Sequence, residues 1–126
     1  TDRIARYSNT AALVQERMGF FWTGFYLVDG DQLVLGPFQG PVACMRIGFG
    51  KGVCGTAWKE ARTMVVPDVE EFPGHIACSS LSRSEIVVPL KDADGVVTGV
   101  LDIDSKDLST FDLIDAFWLS RLTALL

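Results

Sequence analysis

Apolar residues at Ile4, Tyr7, Ala11, Val14 and Met18 recur at three- and four-residue steps, the period of one helix face. The pattern predicts a helix over Thr1 to Met18. Asn9 and Thr10 are mediocre helix formers that allow a break, and Gly19 supplies a stop. Phe21 to Val28 reads as a strand rich in aromatic and β-branched residues, with Gly24 leaving room for something to approach its backbone. Asp29-Gly30-Asp31 is a hairpin signal, and Gln32 to Phe38 is the returning strand. Two prolines and two glycines in Gly36-Pro37-Phe38-Gln39-Gly40-Pro41 then break regular structure and set a loop that delivers Cys44. Gly48, Gly50 and Gly52 make a tight corner into a short helix from about Val53 to Glu60. They match neither a phosphate loop nor a dinucleotide fingerprint.

Thr63 to Val66 is a short strand ended by Pro67. A loop follows, and Ser84 to Leu90 is apolar enough for a core strand. Asp92-Ala93-Asp94-Gly95 turns it into a partner, Val96 to Ile103. A last helix runs from about Thr110, with Ser109 and Asp112 at capping-box spacing. Its apolar face, Phe111, Ile114, Phe117, Trp118, Leu122 and Leu125, is expected on the sheet beside the first helix. Two hairpins, a helix between them and helices at both ends predict an α+β domain. Its central sheet is mainly antiparallel, with the terminal helices packed on one face.

Composition narrows the class. The 126 residues, 48% hydrophobic and 21% charged, fit a single globular domain over 1–126. Sixteen acids against eleven bases give a net charge of -5, and the bases are scattered, so no phosphate footprint for nucleic acid is present. No apolar run approaches membrane-spanning length, and no export signal is visible. A start without Met inside a helical pattern leads us to expect that some of the natural N-terminus is absent. Three cysteines are not a secreted disulfide framework; they fit a reducing, cytoplasmic compartment in which a disulfide has a redox purpose.

Candidate chemistry gathers in Asp68 to Leu90, where Pro73, Gly74, the only histidine (His75) and Cys78 precede a strand opening on Ser84 and Glu85. Cys44, Cys54 and Cys78 lie outside any CxxC pair, and the default reading of each is a buried small hydrophobe, with Cys78 the exception because it follows Pro73-Gly74-His75 in a loop beside Ser79 and Ser80. Cys54 would sit in the first turn of its helix, where free amides favour a thiolate and burial opposes it. His75 either polarises the Cys78 thiol or shapes the loop. A zinc site of Cys44, Cys54, Cys78 and His75 is conceivable, although no spacing demands it. Asp102 and Asp104 share a strand face; with Glu85 they either hold a cationic group or are solvated strand ends. Trp22 and Tyr26 share a face of the first strand, as core or as a wall against a methyl or thioether group.

Five stretches are specific when taken together: GPFQGPVAC (36–44), GKGVCGTA (50–57), FPGHIAC (72–78), SEIVVPL (84–90) and GVLDIDS (99–105). With the Trp22 to Tyr26 strand they make nearly the whole chain resemble the free methionine-(R)-sulfoxide reductases, single-domain enzymes of the GAF fold. The resemblance implies Cys78 as nucleophile, Cys44 as the cysteine that resolves the oxidised intermediate, and Cys54 as an auxiliary third. Glu85, Asp102 and Asp104 match carboxylates that bind the substrate ammonium and help protonate the sulfoxide oxygen. Trp22 matches an aromatic wall beside the substrate methyl, with Tyr26 and Ser79 also at the site. Ser79 departs from the Asp that members commonly carry there, which implies weaker activity or an altered substrate preference.

The implied reaction reduces free L-methionine (R)-S-oxide through a cysteine sulfenic acid and a disulfide, with thioredoxin as reductant and no cofactor. A homodimer is a further expectation. The rival reading is a non-enzymatic GAF-type sensor of a small molecule.

Overall fold

The computed structural model describes residues 2–76 and 78–126. A six-stranded sheet runs in the order β3-β2-β1-β6-β5-β4, with β1 Trp22–Asp29, β2 Gln32–Gln39, β3 Arg46–Gly48, β4 Met64–Val66, β5 Ser84–Lys91 and β6 Val97–Ser105. Every pairing is antiparallel. Helix α1 (Arg3–Met18) and helix α3 (Leu113–Thr123) pack on one face, and α2 (Gly52–Glu60) covers the other. The expected α+β architecture, with terminal helices on one face, is the one observed.

Strand alternation divides the side chains between two cores. Phe25, Ile86, Val88, Leu101 and Ile103 point toward α1 and α3, where they meet Tyr7, Ala11 and Val14. Trp22, Tyr26, Val87 and Val100 point the other way and meet Val53, Cys54 and Ala57 of α2. The polar residues of interest, Glu85, Asp102 and Asp104, fall on this second face by the same alternation. Helix α1 runs unbroken through Asn9 and Thr10. It ends at Gly19, whose left-handed backbone (φ 65°) lets its amide reach the Gln15 carbonyl. Ile4 and Met18 project into solvent at its ends.

Three expectations are corrected. The Gly36 to Pro41 stretch does not break structure at Gly36: β2 continues to Gln39, and irregularity begins at Gly40. A bulge absorbs the proline. Gly24 pairs with Phe38 and Tyr26 with Leu35, so two β2 residues, Gly36 and Pro37, oppose Phe25. The other edge of β2 is paired only at Gln32 to Val34, so an absent proline N–H breaks no ladder.

The capping box of α3 is formed by Asp112 and Asp115, not Ser109 and Asp112. Asp112 Oδ1 accepts from the amides of Ile114 and Asp115 at 2.9 and 3.0 Å, and Asp115 Oδ2 accepts from the Asp112 amide at 2.9 Å. The face of α3 also differs: Phe111 is buried, and Ala116, Leu119 and Leu122 pack on the core, while Ile114, Phe117, Trp118 and Leu125 are exposed. The short strand β3 pairs at the sheet edge and was not anticipated.

Candidate active site

Register builds the site from four adjacent strands. Trp22 of β1 lies opposite Asp104 of β6, Asp104 opposite Glu85 of β5, and Glu85 opposite Val66 of β4. One step along, Gly24 lies opposite Asp102, and Asp102 opposite Val87. Because position 24 has no side chain, β1 leaves a gap directly opposite Asp102. The indole of Trp22 lies over this gap instead: a Cβ at Gly24 would meet its ring. The indole stacks on Phe38 at 5.3 Å between centroids and on Tyr26 at 6.0 Å.

This floor carries a pocket that is partly open to solvent, lined by Trp22, Tyr26, Cys54, Glu85, Asp102 and Asp104 among others. Two loops flank it. In the first, Trp22 Nε1 donates to the Pro41 carbonyl at 3.0 Å, and the Tyr26 hydroxyl donates to the Cys44 carbonyl at 2.8 Å. The two aromatic residues thus hold the loop that delivers Cys44, besides walling the pocket. The second loop carries His75, Cys78 and Ser79. Cys44 and Cys78 join the loops as a disulfide with Cα atoms 5.4 Å apart, inside the ordinary range. That joining leaves no thiolate at either position for the Cys3His zinc set in this state.

Cys54 is free and buried. It sits in the first turn of α2, as expected, and the balance between helix amides and burial falls to burial. Desolvation first, then the charges of Asp102 and Glu85, push its thiol well above the usual range. Its Sγ lies 4.0 Å from Glu85 Oε2.

The three carboxyls behave alike. Burial pushes Glu85 well up, reinforced by Asp102 and Asp104, and burial with the Asp102 charge pushes Asp104 well up. Asp102 is also raised by burial, but hydrogen bonds from Glu85, Cys54 and Asp104 pull it back. Burial thus raises the proton affinity of all three, with Asp102 the one whose rise its neighbours' hydrogen bonds oppose. Asp102 Oδ1 has no hydrogen-bond partner among the described residues. A buried group of this kind must hold protons or hold a cation.

The solvated-strand-end reading of the carboxylates is overturned, since all three residues are buried or nearly so. His75 lines the pocket with its imidazole shifted down by burial, against an opposing pull from Glu70. Ser79 also lines it, and its Oγ accepts from the Leu81 amide at 3.2 Å, fixing the loop. Trp22, Tyr26, Cys54, His75, Cys78, Ser79, Glu85, Asp102 and Asp104 all line one pocket, and Cys44 is tied to it through its bridge to Cys78. What sequence reasoning missed is the anchoring duty of the Trp22 indole N–H and the Tyr26 hydroxyl. Pro41, whose carbonyl receives the first of these, was readable only as a breaker.

A curled antiparallel sheet with a pocket on one face and helices on the other defines the class as a GAF domain. The GAF domain family model matches residues 7–126. GAF domain-containing protein A of Dictyostelium discoideum is 57% identical over 99% of this chain and 79% of its own length. A free methionine-R-sulfoxide reductase of Escherichia coli is 48% identical over 98% of this chain and 75% of its own. The X-ray structure of free methionine-R-sulfoxide reductase from Neisseria meningitidis in complex with its substrate superposes with a TM-score of 0.92. It is 59% identical, covering 95% of this chain and 72% of that one. The chain belongs to the GAF domain family and, within it, to the free methionine-R-sulfoxide reductases.

Proposed function

We propose that this chain reduces free L-methionine (R)-S-oxide to L-methionine, with Cys78 as nucleophile and Cys44 as resolving cysteine. The observation that carries the reading is the Cys44–Cys78 pair at the pocket, above a floor of carboxyls whose proton affinity burial raises. A sulfoxide oxygen leaves poorly unless protonated, and Glu85 and Asp104 are the acids available for it. The Cys78 thiolate attacks the substrate sulfur while the oxygen takes up a proton. The hydroxyl passes from the substrate sulfur to the Cys78 sulfur as the bond between the two sulfurs breaks, methionine departs, and Cys78 is left as a sulfenic acid. The Cys44 thiol then displaces the hydroxyl, water leaves, and the disulfide forms. A dithiol reduces that bond by exchange and is itself oxidised to a disulfide; thioredoxin is the reductant proposed.

Ionised Asp102 attracts the substrate ammonium, and the Trp22 ring packs against the methyl group, with Tyr26 and Ser79 on the surrounding wall. Cys54, held as a neutral thiol, is an auxiliary proton-bearing group beside Glu85 and Asp102. Among the described residues no helix is long and apolar enough to cross a membrane; the proposed compartment is the cytoplasm. The exposed row Ile114, Phe117 and Trp118 on α3 supports a homodimer, testable by sedimentation of the wild type against Trp118→Glu.

The decisive assay offers R and S epimers of free and N-acetylated methionine sulfoxide with thioredoxin recycling. Turnover of the free R epimer alone is expected. Preference for the S epimer overturns the proposal, as does equal turnover of the acetylated form. Saturable binding without turnover replaces it with the sensor reading.

A further inference from the structure

We propose that Cys54, Glu85 and Asp102 form a binding site for a thiophilic divalent cation of the Zn2+ class, and that a cation bound there blocks the pocket. One atom from each of the three residues, the Cys54 sulfur and a carboxylate oxygen of Glu85 and of Asp102, lies within 4.8 Å of the other two. Four-coordinate zinc, with bonds of about 2.0 to 2.3 Å, sets its ligand atoms about 3.3 to 3.8 Å apart. Small side-chain rotations close that difference. The three groups come from α2, β5 and β6, so a bound ion would tie the helix to the two central strands.

Two further observations separate this cluster from an ordinary acidic patch. All three residues are buried, and Asp102 Oδ1, on a side chain only 5% exposed, has no partner. That oxygen lacks what a cation supplies. The same three residues line the pocket, which leaves the fourth coordination position open to a water. The ligand set also selects the ion: a thiolate disfavours magnesium and calcium and favours zinc, cadmium or cobalt. Binding expels the Cys54 thiol proton and any carboxyl proton held at Glu85 or Asp102, all to solvent, with no change of oxidation state. Cys44 and Cys78 take no part, because the site is complete while they are joined.

The test uses Co2+, whose sulfur-to-metal charge transfer reports thiolate ligation directly. Co2+ is titrated into the oxidised chain, in which Cys54 is the free cysteine. One ion per chain is expected, with a near-ultraviolet charge-transfer band and the strong visible bands of a four-coordinate ion. Zn2+ should abolish both by displacement. Cys54→Ser should remove the charge-transfer band, and Asp102→Asn should weaken binding at least tenfold, with near-ultraviolet circular dichroism confirming that both variants fold. A Cys44→Ser/Cys78→Ser variant should keep the bands. Absence of the bands in the wild type, their persistence in folded Cys54→Ser, or their loss from the double variant would each overturn the proposal. The spectra do not depend on the reductase reading; only the expected loss of turnover with Zn2+ does. A chain that binds Co2+ as described yet never reduces sulfoxide keeps this site and loses that function.

Discussion

Reducing the Cys44–Cys78 bridge should destabilise the fold by about 3.8 kcal/mol at 25 °C. The bridge joins residues 34 apart in sequence. Closing a loop of that length removes about 12.6 cal/mol/K of entropy from the unfolded chain, which at 298 K gives the figure above. The native side subtracts little, because the 5.4 Å between the Cα atoms lies near the most common separation for unstrained bridges. With a urea slope of about 2 kcal/mol/M, the unfolding midpoint should fall by about 2 M on reduction. The assay is urea unfolding followed by tryptophan fluorescence, with and without a phosphine reductant. Cys44→Ser, which has no bridge, should unfold at one midpoint in both buffers. Linkage demands a second reading of the same quantity: the folded chain's disulfide should be more reducing than the unfolded chain's by about 80 mV. Equal midpoints for oxidised and reduced wild type would refute the reasoning, as would a shift that survives in Cys44→Ser.

Glu85→Gln should abolish most sulfoxide reduction and yet stabilise the fold at neutral pH, when compared in a chelating buffer. Burial holds the folded carboxyl well above its ordinary value of 4.5, so its contribution is greatest below that value and is lost as pH rises toward the folded pKa. Relative to wild type the variant gains about 1.4 kcal/mol per pKa unit of that elevation, and a midpoint difference that shrinks as pH rises above 4.5 would defeat it. Gly24→Ala should lose about 1 to 3 kcal/mol and raise KM, because the added methyl meets the Trp22 ring and Phe38; an unchanged melting temperature would place the ring elsewhere. Ser79→Asp should leave the unfolding midpoint alone, since an aspartate oxygen can accept the Leu81 amide as Ser79 Oγ does. It should raise kcat/KM for the free R epimer, and equal values would make the departure neutral.

The legible parts of this fold were those written in local chemistry. Asp29-Gly30-Asp31 and Asp92 to Gly95 each announce a turn, and the strands beside them pair as the turns dictate. Alternation placed Asp102 and Asp104 on one face, and the second hairpin set Glu85 beside them. The contact of β1 with β6 joins segments far apart in sequence, and no local pattern encodes it. Neither does one encode which side of an apolar helix is buried. In α3, Phe117 and Trp118 are more hydrophobic than Ala116, yet the sheet meets Ala116, Leu119 and Leu122. Ser109 and Asp112 carry the same capping spacing as Asp112 and Asp115. Backbone geometry chooses between them, since Ser109 has φ 53°, outside the extended conformation that an N-cap residue typically adopts. For Cys54, position in a helix first turn was readable, but the burial that decides its protonation was not.

The two faces of the sheet divide the work between stability and chemistry. Toward α1 and α3 the strands present Phe25, Ile86, Leu101 and Ile103, fully buried and apolar, a face that favours folding without qualification. The same strands present Glu85, Asp102 and Asp104 to the other side, next to the Cys54 thiol. Three carboxyls placed there repel one another and lose their hydration, so an empty pocket keeps them in their least comfortable company. In the proposed reaction, that discomfort is the source of selectivity. Burial raises the proton affinity of Glu85 and Asp104, which suits them to the acid role proposed, and Asp102 Oδ1 has no hydrogen-bond partner among the described residues. A ligand relieves both conditions only by bringing a positive group and an oxygen that can take a proton. A free amino-acid sulfoxide carries the two together, whereas a sulfoxide within a peptide carries the oxygen alone and would leave Asp102 buried against a neutral amide. Discrimination between them follows from the electrostatics of the floor before any contact at the mouth is considered.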